Sequence, residues 1–180
     1  SLPRGKIYDS NLYMLCARLH ELGVETEAMQ MEDCTKKVAG AIRQLLKTTD
    51  AVITTGGVSV GQKDILNDVL PYLSAETLFH GIKMKPGSPA FFSLVDGNPV
   101  LSLSGNPFAA AATFELLARP MLAKLANDLS LCCKKSAATL ATSFPKASQN
   151  RRLIRGIYQD GVVTLPQGHS SGQLSSLLGC

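Results

Sequence analysis

Apolar and polar positions along this chain keep changing period, from helical to alternating and back. Over residues 9–22, DSNLYMLCARLHEL, apolar residues Leu12, Leu15, Cys16, Leu19 and Leu22 recur at helical spacing. Asp9 or Ser10 can cap this helix and Gly23 can end it. Residues 24–31, VETEAMQM, alternate and predict a strand. A second helix follows over TKKVAGAIRQLLK, with Val38, Ile42, Leu45 and Leu46 on one face. DAVIT is a short buried strand, and DILNDVLPYL predicts a third helix ending around Pro71. ETLFHGIKMK and PAFFSLV read as strands with a turn at Pro86–Gly87, and DGNP is a hairpin turn before the strand PVLSLS. NPFAAAATFELLARPMLAKLA is a long helix, capped by Asn106, with Pro107 at its first position and a kink expected at Pro120.

This alternation predicts an α/β fold, a largely parallel sheet covered by helices on both faces. The helical period fades from about Asp128, and SAATLATSF, RRLIRGIY and GVVTLP read as short strands between polar turns. We therefore expect two units, residues 1–127 and a small β-rich module over 128–180.

Composition narrows the function classes. The chain has 180 residues, 45% hydrophobic and 18% charged, which suits a packed globular protein. Its formal net charge of +4 fits an anionic small-molecule ligand, and the absence of a basic block interleaved with aromatics argues against nucleic acid. No apolar run has the ~18 residues of a membrane helix, so no membrane partner is expected. The five cysteines form no C-x-x-C, and their odd number suits a reducing, cytoplasmic setting. Three scattered histidines argue against a structural zinc site.

Candidate chemistry gathers at two glycine turns. The first, Thr54, Thr55, Gly56, Gly57, Val58, Ser59 and on to Gly61, lies between a buried strand and a helix, where open α/β sheets bind ligands. Glycines expose N–H groups to an anion, and the hydroxyls add donors. The spacing is neither G-x-x-x-x-G-K-[ST], since Gln62 intervenes and Asp64 follows Lys63, nor G-x-G-x-x-G. A glycine-rich turn without a ligand is the alternative. The second turn, Ser104, Gly105, Asn106 and Pro107, repeats the strand–turn–helix plan and can face the first across a cleft. Lys85, before the rigid Pro86–Gly87 turn, either neutralises an anion or is a solvated charge. Asp33 and Asp64 either cap helices or hold a divalent cation that bridges them to an anionic ligand.

TTGGVSVGQKD, MKPGSP and LSLSGNPFAAAATFELLARP, in this order, resemble the molybdopterin molybdenumtransferases, the MoeA family that includes the gephyrin E domain. The resemblance runs from RGKIYDSN to GHSSGQLSSLLG. It implies a three-layer α/β/α molybdopterin-binding (MogA-like) domain and part of the family's C-terminal β module. It implies binding of adenylylated molybdopterin, insertion of molybdate at the dithiolene sulfurs and release of AMP, with Mg²⁺ required. The two turns would hold the pterin and its phosphate, Asp33 and Asp64 the cation and the adenylate hydrolysis, and Lys85 the molybdate or phosphate. Arg152 and Ser171 would face an oxyanion. A homodimer is implied, and a MogA-type adenylyltransferase is a possible partner.

The chain also departs from the family. Gly81 and Ser88 stand where many members carry lysine, and Ala109 where many carry serine. The resemblance further implies that a first strand, two earlier domains and the last strands are missing from this sequence. That would leave an unpaired sheet edge and weak activity in the isolated chain. A non-catalytic molybdopterin- or molybdate-binding or oligomerisation module, and a MogA-type molybdopterin adenylyltransferase, are the competing readings.

Overall fold

A computed structural model of the protein describes residues 8–58, 64–144 and 147–166. Helix α1 (Ser10–Glu21) starts where the pattern requires, with the Asp9 carboxylate accepting from the Leu12 N–H at 3.1 Å. Helix α2 (Thr35–Leu45) follows, but its cap position is Cys34 and no side chain caps it, so the reading of Asp33 as a cap does not hold. Strand β1 (Val52–Thr55) leads to α3 (Leu66–Tyr72), which tolerates Pro71 in its last turn. Then come β2 (Glu76–His80), β3 (Met84–Lys85), β4 (Phe91–Val95) and β5 (Asn98–Leu103). The β4–β5 hairpin turns through Asp96 and Gly97, both at positive φ, as its DG pair predicts.

The main sheet has the order β1-β5-β4-β2. Its β1–β5 pair is parallel, and β4 pairs antiparallel with both β5 and β2. Two apolar cores flank it. On one face Ala39 and Ile42 of α2 and Leu66, Val69 and Leu70 of α3 meet Val52, Phe91 and Val100. On the other, Leu15 of α1 and Phe114, Met121 and Leu122 of the last long helix meet Leu101 and Leu103. Consecutive residues of β5 thus enter opposite cores, which explains why Val100–Leu103 are all buried. The three α/β/α layers are as expected, but the sheet is mixed rather than largely parallel: among the described strands β1–β5 is parallel, while β5–β4 and β4–β2 are antiparallel hairpin-type pairs of strands near in sequence.

The long helix is α4 (Pro107–Thr113), a π-helical turn (Phe114–Ala118) and α5 (Arg119–Ala126). The irregularity expected at Pro120 falls one turn earlier. Proline has no N–H to donate and its ring crowds the carbonyl four residues back, so the turn before it widens. After α5, Asn127 is left-handed and a 3₁₀ turn spans Leu129–Leu131. Strand β6 (Thr139–Leu140) pairs with β9 (Val162–Thr164), which also pairs with β8 (Ile157–Gln159). Strand β7 (Arg151–Arg152) pairs with β3 instead.

One expected strand is not formed. Residues 24–31 form no strand and join no ladder among the described residues, and 25–31 are exposed. Alternation makes a strand only where a neighbour offers a hydrogen-bonding edge, and no described segment lies alongside.

An ion network ties α1 to the last helix. Arg18 donates to Glu115 Oε1 at 3.0 and 2.6 Å, Arg119 donates to Glu115 Oε2 at 2.8 Å, and Cys133 Sγ donates to Oε2 at 3.3 Å. Burial pushes the Glu115 carboxyl up, but hydrogen bonds from Arg119, Arg18 and Cys133 and the Arg18 charge outweigh it and hold it below the usual range. Its contribution is therefore present above the ordinary glutamate range and lost as pH falls through the depressed folded value. Glu115→Gln is expected to cost about 1–2 kcal/mol at pH 7, with the difference vanishing in acid. Urea melts at pH 7 and pH 3 check this.

Candidate site at two glycine turns

The two glycine turns meet. The Gly56 N–H donates to the Leu103 carbonyl at 3.2 Å, and Thr55 Oγ1 donates to the Ser104 carbonyl at 3.2 Å. A Cβ added at Gly105 would stand 3.2 Å from Gly56 Cα, so the backbones approach as closely as they do because residue 105 has no side chain. Gly56 and Gly57 both have positive φ. Asn106 caps α4, its Oδ1 accepting from the Ala109 N–H at 3.1 Å, and the Ser104 hydroxyl accepts from the Asn106 N–H at 3.2 Å. Pro107 opens α4 at a position that needs no N–H. Val58 turns its side chain into the core, leaving only its backbone for a ligand. Ser59, Gly61 and Ser171 lie outside the described residues.

Asn11 joins the turns and was not singled out by the motif reading. Its side-chain amide donates to Thr55 Oγ1 at 2.8 Å and to the Gly105 carbonyl at 2.9 Å. Its signal was a polar residue on the apolar stripe of α1, four before Leu15 and eight before Leu19. Asn11→Leu is expected to destabilise by about 1–3 kcal/mol, since Thr55 Oγ1 and the Gly105 carbonyl both lose their donor. It should also loosen the first turn, read as faster amide exchange at Thr55 and Gly56.

Asp64 lies at the far end of the first turn. It is buried, and its carboxylate accepts the Leu66 N–H at 3.1 Å. Burial pushes its pKa above the ordinary aspartate value, against the opposing pull of that hydrogen bond and of the His80 charge. Asp33 is exposed on a groove whose walls include Thr54, Thr55, Gly57 and Ile65. No polar contact joins Asp33 to Asp64 among the described residues.

The expected cations Lys85 and Arg152 lie together on a separate strand pair. Lys85 is the register partner of Arg152 in the parallel β3–β7 ladder, and the Leu153 N–H donates to the Lys85 carbonyl at 2.9 Å. Parallel partners share a sheet face, so two residues far apart in sequence present their charges side by side. The Arg152 guanidinium stands 5.5 Å from the Phe144 ring centroid, and its Nε is buried without a hydrogen-bond partner among the described residues. Gly87, in the turn after Lys85 and Pro86, is buried with φ +99. Ser88 donates its hydroxyl to the Met84 carbonyl at 2.5 Å, bracing this turn. Arg155, buried and also missed from sequence, stacks 4.4 Å from the ring centroid of Phe108, directly after Pro107.

The family described as "Probable molybdopterin binding domain" matches residues 1–124. This chain belongs to that MoCF_biosynth family. The molybdopterin molybdenumtransferase of Staphylococcus aureus strain COL is 35% identical over 172 residues, covering 93% of this chain and 41% of that protein. The chain thus spans about two fifths of the length of the curated relatives it matches. A molybdopterin biosynthesis MoeA protein of Pyrococcus horikoshii, of known crystal structure, superposes with a TM-score of 0.81 at 28% identity, covering 100% of this chain and 44% of that one. A tungsten cofactor synthesizing protein, MoaB of Pyrococcus furiosus, shares the fold alone, with TM-score 0.55 and 19% identity over 69% of this chain and 88% of that one. No helix among the described residues is long and apolar enough to cross a membrane.

Proposed function

We propose that the chain is the pterin-binding part of a molybdopterin molybdenumtransferase, taking adenylylated molybdopterin, inserting molybdate and releasing AMP. The observation that carries this reading is the contact between the two glycine turns, which sets glycine-rich backbone from the ends of β1 and β5 side by side. That chemistry suits the phosphate-bearing end of a pterin. Lys85 and Arg152 would neutralise the phosphate or the molybdate oxyanion.

No group of three or more His, Cys, Asp or Glu gathers as a metal site among the described residues, so Mg²⁺ would rest on two carboxylates and the ligand's own oxygens. Asp64 is a desolvated carboxylate with one backbone donor, and a hard cation would relieve its burial. Asp64 would supply one oxygen and Asp33 a second, with phosphate and water completing the shell. Bound there, the cation would draw charge from the adenylate phosphate. The chain's own part is to orient: the turns fix the pterin phosphate, the Lys85–Arg152 pair holds the oxyanion, and Asp64 accepts the proton of the water that attacks the AMP phosphorus. The P–O bond to the pterin phosphate then breaks and AMP leaves. The residues 1–127 and 128–180 would act as two units, joined at this site by β3 and β7. Assembly as a homodimer and receipt of substrate from a MogA-type adenylyltransferase in the cytoplasm belong to the same proposal.

Calorimetric titration with adenylylated molybdopterin and Mg²⁺, with AMP and GTP as controls, tests it. Selective binding is expected, weakened in the double variant Lys85→Ala/Arg152→Ala by about tenfold or more. Equal affinity for AMP alone would overturn the pterin reading.

Ser88 and Gly81 favour one second reading. Ser88 spends its hydroxyl on the Met84 carbonyl and Gly81, at φ +82, carries no side chain, so neither adds charge to the cleft. A pterin- or molybdate-binding module without chemistry would keep its affinity in Asp64→Asn and release no AMP in either form.

A further inference from the structure

The two segments that meet at β3 and β7 contain no carboxylate. Neither residues 77–95 nor residues 129–159 include an Asp or Glu, although the chain has 14. At the ladder itself these segments carry Lys83, Lys85, Arg151 and Arg152. No ion pair among the described residues holds Lys83, Lys85 or Arg152. A surface cleared of one sign of charge keeps its field for a ligand of that sign.

The proposed oxyanion pair uses Lys85 and Arg152, and Lys83 stands outside it. Lys83 directly precedes β3, and its carbonyl accepts the Arg151 N–H at 3.2 Å, so the strand geometry reaches it. Side chains alternate along such a segment: Met84 is buried, and Lys83 and Lys85 are exposed on the opposite side. Their backbones are roughly 6–7 Å apart, while Lys85 and its register partner Arg152 are about 5 Å apart. Three hydrogen bonds brace the loop that presents both lysines. The Gly81 N–H donates to the Ala90 carbonyl at 2.8 Å, the Ile82 N–H to the Ser88 carbonyl at 2.9 Å, and the Ser88 hydroxyl to the Met84 carbonyl. The backbone is thus fixed before a ligand arrives, and only the lysine stems adjust.

The Arg152 Nε is buried and lacks an acceptor among the described residues, which marks one anion seat beside Lys85. A single anion there leaves Lys83 without a counter-charge one strand repeat away. A ligand with two adjacent anionic groups would answer both. We infer that Lys83 is a specificity-determining residue: it adds a second anion seat, so that this face takes a diphosphate ester in preference to a single phosphate. The inference rests on the reading of Lys85 and Arg152 as an anion pair, and it sets the second phosphoryl group of the substrate's diphosphate link on Lys83.

The probes are inorganic pyrophosphate and inorganic phosphate, titrated calorimetrically into the whole chain without divalent cations, which would themselves bind pyrophosphate. Pyrophosphate should bind about tenfold or more tightly than phosphate. Lys83→Gln should remove that preference, weakening pyrophosphate about tenfold and phosphate less than about twofold. Its Tm should match the parent's, because the Lys83 side chain is exposed and makes no ion pair. Lys85→Gln should weaken both anions, and Lys135→Gln, exposed on the other acid-free segment, neither. If neither anion binds, the reading of Lys85 and Arg152 as an anion seat fails and the inference falls with it. If phosphate binds and pyrophosphate binds no tighter, only the second seat fails. Equal losses in Lys83→Gln and Lys135→Gln would mean diffuse surface charge and would overturn the inference as well.

Discussion

Asp64→Asn is expected to make the protein more heat-stable and, on the proposed function, to abolish AMP release. The carboxyl is buried, and burial raises its pKa in the folded state. A folded value above the unfolded one means that the ionised group opposes folding at neutral pH. Asparagine keeps the acceptor that binds the Leu66 N–H and carries no charge. The Tm of Asp64→Asn should therefore exceed that of the parent at pH 7, and the two should converge as pH falls through the raised pKa and the parent carboxyl takes up its proton. Over the same substitution AMP release should fall about 10²–10⁴-fold, the range for losing a general base. Calorimetric scans between pH 4 and 8 beside an AMP-release assay measure both. A lower Tm at pH 7 would sink the electrostatic account. Glu115→Gln has the opposite sign at neutral pH, because arginines surround that carboxylate, so the pair of variants separates a carboxylate that burial destabilises from one that partners stabilise.

The second large effect belongs to Gly87→Ala. At φ +99 any side chain is strained, and the added Cβ would lie 2.5 Å from Thr113 Cγ2 and 3.1 Å from Met84 Cε. The methionine end can move. Thr113 cannot move freely, because its hydroxyl donates to the Ala109 carbonyl at 2.7 Å and it is fully buried. Strain and overlap together should cost about 3 kcal/mol, a fall in Tm of roughly 6–12 °C for a chain of this size. Adding Thr113→Ser deletes the clashing methyl and should restore about half. Recovery to the parent Tm would mean that φ strain contributes nothing.

Much of this architecture could be read from local pattern. The caps Asp9 and Asn106, the Asp96–Gly97 hairpin and the doubly buried strand β5 depend on near neighbours, and the structure has them where the pattern requires. The meeting of the two glycine turns was also legible, because both follow strands that end on the same sheet edge. What escaped depends on long-range pairing. Asn11 acts through residues 44 and 94 positions away. The side-by-side charges of Lys85 and Arg152 come from a two-residue parallel ladder with no periodic signature. Residues 24–31 show the reverse failure: the alternation is present and the partner edge is not. The irregular helix before Pro120 was legible in kind and displaced by one turn.

The β3–β7 ladder has a mechanical consequence. Two register pairs are a weak joint, and one of them holds Lys85 and Arg152, the cations proposed to meet an oxyanion. Without a ligand, like charges on neighbouring register positions would do nothing to hold the seam. With an anion between them, the pair becomes a clamp. Occupancy would then act as a fastener: the bound protein should resist proteases within residues 128–150 in proportion to ligand saturation, and added salt should undo the fastening faster than it undoes the fold.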